Sequence, residues 1–312
     1  MGKRILSKTI QIRMGGYGPE TTAFSKSLKF IGDRLETQFG DQIDVKYVWN
    51  ILDLGYRGED ILWLVESGLL TLGYQSSSYL TDRVPELGFV DLPFLFKNNE
   101  QARTAIDGAL GQYLTEKIEE RINYRILGYF ENGFRHISNR LRPVRLPADL
   151  AGMNIRVLPS DIQARTFELL GATPLKMDLS EAIAGIVDGS LDAQENPLAN
   201  TVTYGAHKFH PYHTLSNHFY ISRPIIIHRD SVDAWPEDLT AAMYQAAQEA
   251  IVFQRKLSEQ EAQDSYQAIA DEGCQIEHLT AAEQQAFVDA VKPQHDDARD
   301  IFGEKIFQLA GL

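Results

Sequence analysis

The chain has 312 residues, room for two domains that each bury a core, and its 44% hydrophobic content fits a folded protein and not a disordered one. Forty-three acidic residues against 30 basic ones leave a formal charge of -13, and no run of Lys or Arg supplies the basic stripe of a nucleic-acid binder. No apolar run reaches the ~20 residues of a membrane span, the N-terminal MGKRILSKTIQIRM has no signal-peptide core, and the single Cys274 excludes an intramolecular disulfide or a multi-cysteine metal site. One cysteine does not fix the compartment, and an exported chain whose leader has been removed reads the same way.

Residues 9–14 (TIQIRM) alternate as a strand does and are broken by Gly15-Gly16-Tyr17-Gly18-Pro19. No Gly-Lys-Ser/Thr follows, so the glycines read as a tight strand-to-helix turn and not as a phosphate loop. Thr21 or Thr22 caps a helix running to about Phe39, with Phe24, Leu28, Ile31 and Leu35 at helical spacing. Residues 43–49 form a second strand, 60–66 a helix closed by Ser67-Gly68, and 69–73 a third strand. This order predicts a parallel sheet, with ligands gathering beyond the strands' C-terminal ends. Those ends carry Gly16-Tyr17, the 50–58 loop and Tyr74-Gln75-Ser76-Ser77-Ser78-Tyr79.

Residues 85–96 are an apolar segment, 99–120 one helix, and 125–130 a strand leading into Glu131-Asn132-Gly133-Phe134-Arg135-His136. Two prolines within 141–149 mark a crossover between domains. The stretch 146–200 then reads strand, helix, strand, helix, strand, and 212–227 is one extended region returning to the first domain. Pro236 opens a helix over about 237–272; at ~1.5 Å per residue it exceeds ~50 Å, so it lies across both domains. Thr280 begins another helix, broken near Pro293, and the tail is helical to about Leu309.

The residues offer one coherent site. Ile155 and Val157 on one face of a short strand put Arg156 on the other, where a guanidinium presents a rigid fork for a carboxylate. A surface arginine at a strand end is the competing reading. Arg135, two residues past Gly133, is a second candidate beside its own reading as an ordinary loop arginine. Leu64-Val65-Glu66-Ser67-Gly68 and Ile186-Val187-Asp188-Gly189 echo each other, and seven residues past each glycine stand Gln75 and Asn196. Two analogous halves would place these amides on opposite walls of a cleft. Glu195 serves either as a general base or as a partner for a cation. His207, His210, His213 and His218 lie in a loop-rich stretch without the HExxH pattern, so no metal site is expected. Tyr17, Tyr74, Tyr79, Phe134, Phe219 and Tyr220 fall at loops or strand ends, where they shape a pocket or fill core and rim.

PADLAGMNIRV, followed by LLGATPLKMDLSEAIAGIVDGSLDAQENP, resembles the DctP-like substrate-binding proteins of tripartite ATP-independent periplasmic (TRAP) transporters. PELGFVDLPFLFKNNEQA, the GFRHISN stretch and the long helix after Trp235-Pro236 fit the same family, so the likeness covers nearly the whole chain. It implies an α/β periplasmic-binding-protein architecture with a ligand cleft between two domains. The first is 1–132 with about 213–255 and the second 133–212 with about 256–312, the helix at about 237–272 crossing both.

By that resemblance Arg156 makes the salt bridge to a ligand carboxylate, Arg135 contacts the ligand, and Asn196 belongs to the ENP turn that lines the pocket. Gln75, Ser76 and Tyr79 line it from the loop after the third strand. Ser76-Ser77-Ser78-Tyr79 departs from the Glu-Ser-Ala-Arg of sialic-acid binders, and Leu179 stands where an aromatic residue often precedes the helix start. The implied protein is a periplasmic monomer that captures a small organic acid without cofactor or metal and delivers it to membrane permease subunits. Its serines and amides lean to a sugar acid; its tyrosines and phenylalanines keep an aromatic or 2-keto acid open. A lyase or isomerase using Glu195 or a histidine as base is the rival class, and a ligand sensor for a signalling protein a third.

Overall fold

A computed structural model describes residues 9–312. Most of the N-terminal run read for a leader, residues 1–8, lies outside the described residues. Eleven strands form two sheets: β1 (Ile10–Gly15), β2 (Ile43–Val48), β3 (Leu72–Tyr74), β4 (Tyr124–Phe134), β5 (His136–Asn139), β6 (Asn154–Val157), β7 (Thr173–Lys176), β8 (Ala193–Asn196), β9 (Tyr212–Leu215), β10 (Tyr220–His228) and β11 (Gln275–His278). The orders are β2-β1-β3-β10-β4 and β11-β9-β5-β8-β6-β7.

Two compact units contain these sheets: Met1–Gln75, Ile122–Phe130 and Pro224–Leu257 in the first; Ser76–Arg121, Glu131–Arg223 and Ser258–Leu312 in the second. Residues 76–121, which follow directly on the first three strands, therefore cluster with the second unit. The helix Glu237–Asp271 gives its residues through Leu257 to the first unit and the remainder to the second.

In the first unit β1 pairs in parallel with β2 and β3, as the strand-helix-strand order predicts, while β10 runs antiparallel to β3. The helix Ala23–Phe39 starts where Thr22 accepts a hydrogen bond from the Ser25 amide at 3.2 Å, which satisfies one of the open N–H groups of its first turn. Its Leu28, Ile31 and Leu35 are buried, as are Ile12 and Met14 of β1. Gly16 is required by a close approach: a Cβ there would lie 2.8 Å from the Tyr74 hydroxyl and 3.0 Å from the Trp49 carbonyl.

In the second unit the 146–200 stretch forms β6, the helix Asp161–Leu169, β7, the helix Leu179–Asp188 and β8, in the predicted order. β6 pairs in parallel with β7 and β8, and β5 runs antiparallel to β8 and β9. Ile155, Val157, Phe167, Phe219, Ile221 and Phe287 make its buried core.

Two element readings are corrected and a third gains its secondary structure. The single helix over 99–120 is two, Asn99–Asp107 and Ala109–Arg121, because Gly108 takes an extended conformation and its amide closes on the Ala105 carbonyl at 3.3 Å. The extended region 212–227 is two strands, β9 and β10, placed in different sheets, with Asn217 at a φ of 46° in the turn between them. The apolar 85–96 segment carries a 3-10 turn, Pro85–Asp91, that buries Leu87, Phe89 and Val90.

Candidate functional site

Four of the residues singled out from sequence meet in the second unit, as two pairs. The first pair is Arg156 and Tyr79. β6 buries Ile155 and Val157 against the core, so the intervening side chain leaves by the other face. Arg156 is only 1% exposed there. Its Nε donates to the Met177 carbonyl at 3.1 Å, and Nη2 donates to the Tyr79 hydroxyl at 3.1 Å. Both acceptors are neutral. Among the described residues no carboxylate pairs with Arg156, so a buried cation keeps part of its fork for an anion.

The second pair is Arg135 and Asn196. Arg135 sits between β4 and β5, 1% exposed, with its amide donating to the Phe219 carbonyl at 2.9 Å. Its guanidinium grips Glu195 through both carboxylate oxygens: Nε meets Oε2, and Nη2 donates to Oε1 at 2.7 Å. Nη2 also donates to the Glu195 carbonyl at 2.7 Å and to Asn196 Oδ1 at 3.0 Å. Burial pushes the Glu195 carboxyl up, but the Arg135 charge and the His218 ring oppose this, and it ends below the ordinary range. Glu195 is therefore the partner of a cation, the second of its two readings. Asn196 adds a bond from Nδ2 to Gln194 Oε1 at 2.9 Å and accepts from Asn200 at 3.3 Å, so its amide is held in one orientation.

The two pairs share a neighbour that the sequence reading missed. Burial raises the pKa of the Tyr204 hydroxyl, while the Arg223, Arg156 and Arg135 guanidiniums all pull it down. Arg223 is 4% exposed. The sequence signal for it was a single cation inside the apolar run of β10, YISRPIII. Asn132 was also missed as a site candidate: it is 8% exposed, and neither atom of its amide has a hydrogen-bond partner.

The remaining candidates divide between the two units. Gln75 ends its segment of the first unit and donates to the Gly58 carbonyl at 2.7 Å, whereas Asn196 belongs to the second unit. Tyr17 and Tyr74 are buried in the first unit with ring centroids 5.2 Å apart, and Phe24 stacks on Tyr74 at 5.0 Å. Ser76 is buried at the start of a segment of the second unit. Phe134 packs edge-on to Tyr220 at 5.3 Å, and Leu179 opens the helix that Asp178 caps. Phe219 lies in the core against Phe167 and His218.

The histidines are bound individually. His210 contacts Ser138 Oγ at 3.0 Å, His213 the His210 carbonyl at 2.9 Å, and His218 Ser216 Oγ at 2.7 Å. Among the described residues no group of three or more His, Cys, Asp or Glu side chains is arranged to hold a metal ion. Among the same residues no helix is long and apolar enough to cross a membrane.

Known proteins resemble the chain over most of its length. The family model described as bacterial extracellular solute-binding protein, family 7 (DctP) matches residues 14–300. The 2,3-diketo-L-gulonate-binding periplasmic protein YiaO of Escherichia coli is 30% identical over 250 residues, 80% of this chain and 74% of that one. The C4-dicarboxylate-binding periplasmic protein DctP of Rhodobacter capsulatus is 28% identical, over 70% of this chain and 66% of that one. Among solved structures, the sugar acid binding protein DctPAm from Advenella mimigardefordensis, in complex with galactonate, superposes with a TM-score of 0.91 at 26% identity, covering 96% of this chain and 97% of that one. A TRAP periplasmic solute binding protein from Sulfurospirillum deleyianum with bound succinate gives 0.90 at 26% identity, covering 97% and 98%. The chain belongs to the DctP family of bacterial extracellular solute-binding proteins. It is a transport receptor of the TRAP type and not an enzyme.

Proposed function

We propose that the protein captures a hydroxylated organic acid, a sugar acid in the first place, and that Arg156 is the group that holds its carboxylate. The supporting observation is the state of Arg156: a guanidinium removed from water whose hydrogen-bond acceptors are both neutral. A bound carboxylate would supply the opposite charge and accept from the rest of the fork, giving the charge-assisted bonds that neutral groups do not. Arg135 has a different role. With its charge matched by Glu195, it sets the orientation of Asn196, whose remaining amide hydrogen is available to a ligand oxygen.

Hydroxyl-rich chemistry is favoured over an aromatic ligand by Asn132, a buried amide with unmet donors and acceptors, and by the galactonate bound to DctPAm. The chain's net charge of -13 does not oppose an anionic ligand, because exposed charges are screened over about 8–10 Å while Arg156 acts at contact distance. Outside the cytoplasm the receptor works as a monomer and presents its acid to TRAP permease subunits, a step that copurification with those subunits tests.

Thermal-shift screening against sugar acids, 2-keto acids and dicarboxylates decides the ligand, since a compound at about 100 times its Kd stabilises by about 2.7 kcal/mol. Arg156→Ala should abolish the shift. An unchanged shift in that variant would overturn the assignment of the anchor, and a shift with 2-keto acids alone would overturn the sugar-acid reading.

A further inference from the structure

A second polar cluster lies behind the Arg156–Tyr79 pair. Asp91, the last residue of the Pro85–Asp91 turn, is fully buried. Its Oδ1 accepts from Ser78 Oγ at 2.7 Å and from Gln163 Nε2 at 3.2 Å, and the same Gln163 nitrogen lies 3.0 Å from Ser78 Oγ. Ser78 belongs to the 3-10 turn Ser77–Leu80 that carries Tyr79, and Gln163 to the first turn of the Asp161–Leu169 helix. Ser160 caps that helix by accepting from the Gln163 amide at 3.4 Å. Thr81 closes the seam, its hydroxyl lying 3.0 Å from the Ser78 carbonyl and 3.2 Å from the Pro159 carbonyl. The turn that bears Tyr79 and the segment that follows Arg156 are thus fastened to each other within a few residues of both.

We propose that Asp91 is a positioning residue for the ligand anchor: by accepting from Ser78 and Gln163 together, it pins the Tyr79 turn to the helix that follows β6, and so holds the Tyr79 hydroxyl on the Arg156 guanidinium. This rests on the reading of Arg156 as the carboxylate anchor. A guanidinium recognises a carboxylate by direction, so a drift of a fraction of an ångström at its supporting group matters to binding. The chemistry of the position supports the role. Burial pushes the Asp91 carboxyl up to about 6, opposed by hydrogen bonds from Ser160, Ser78 and Gln163 and reinforced by the negative charge of Glu195. Leu87, Phe89 and Val90 of the same turn fill core without that penalty. What an apolar side chain at position 91 would lack is one acceptor for donors from two segments.

The test is a calorimetric titration of the folded protein with galactonate, well below its melting temperature, in a double-mutant cycle. Asp91→Ala should weaken binding about 5-fold, no more than the loss of the Tyr79 hydroxyl itself, whereas Asp91→Asn, which keeps an acceptor, should stay within about 2-fold of the parent. In a Tyr79→Phe background, Asp91→Ala should add less than about 2-fold, because its route to Arg156 is already cut. Full additivity, or parent affinity in Asp91→Ala, overturns the proposal. Ser78→Ala takes the place of Asp91→Ala if that variant does not fold.

Arg156→Ala in the same titration separates the two readings: if it binds like the parent, the anchor assignment has failed. If it alone loses binding, only the role of Asp91 has failed. A ligand-free crystal structure of Asp91→Ala decides the matter whatever acid the parent binds. The Tyr79 hydroxyl should leave Arg156; a pair still in contact overturns the proposal.

Discussion

Arg156 in β6 and Arg135 just before β5 of one six-stranded sheet are both 1% exposed, yet they solve the problem of a buried charge in opposite ways. Arg135 is matched from within: Glu195 takes its charge through two oxygens and is itself fully buried. Arg156 is met only by a carbonyl and a phenol. A matched pair gives the fold a fixed polar brace, while an unmatched cation leaves the fold with an unmet demand for negative charge. The difference separates a residue that shapes the site from one that binds.

The largest effect should come from breaking the matched pair. Arg135→Ala leaves the Glu195 carboxylate buried with His218, whose Nε2 stands 3.6 Å away, as its nearest basic neighbour. Removing one member of a buried ion pair is expected to cost about 3–5 kcal/mol of stability. Urea denaturation measures this directly, and a loss under about 1 kcal/mol would show that Arg135 is not the brace described. Arg156→Met should do the reverse. Replacing an unmatched buried cation by an apolar side chain of similar length leaves stability level or higher, while binding of the acid falls by about 100-fold. Should Arg156→Met unfold as readily as Arg135→Ala, the contrast between the two arginines collapses.

Acid sharpens the comparison from another side. In the β5 strand that follows Arg135, Ser138 is bonded to His210 and stands opposite His213 of β9. Burial depresses the His210 pKa to about 3 and the His213 pKa to about 4. The unfolded chain therefore binds more protons than the folded one between those values and about 6.5. Their contribution is fully present above about pH 6.5 and is lost as the pH falls toward 4, at up to about 1.4 kcal/mol per pH unit for each histidine. Urea midpoints at pH 7.5 and pH 5 should differ accordingly, and equal midpoints would mean these rings are hydrated in solution.

How far this was legible in the sequence depends on the range of the interaction. β6 was readable because Ile155 and Val157 are a local signal, and Arg156 followed from strand alternation. The DctP likeness added the expectation of a carboxylate anchor. The fate of Glu195 was not readable: base and ion-pair partner remained equal until Arg135, 60 residues away, was seen to close on it. Gly108 was passed over because an isolated glycine in a helical pattern often leaves the helix intact. The separation of β9 from β10 depends on Asn217 adopting a left-handed conformation, which composition alone does not reveal. Arg223 and Asp91 were hidden by their apolar runs, where a lone charge reads as an interruption of the pattern.

The smallest effect, and the one that resolves the comparison most finely, is Tyr79→Phe. It removes the phenol that meets Arg156 Nη2 at 3.1 Å and leaves the ring, the turn and every contact of Arg135 in place. The guanidinium loses one neutral acceptor but keeps the Met177 carbonyl, so it is less well oriented while still charged. Hydrogen bonds to charged groups contribute about 1.5–3 kcal/mol, and water replacing the phenol recovers much of that, so affinity should fall by about 5-fold with the melting temperature unchanged. A loss as large as that of Arg156→Met would make Tyr79 a direct ligand contact and not a support. No loss at all would mean that Met177 alone orients the fork.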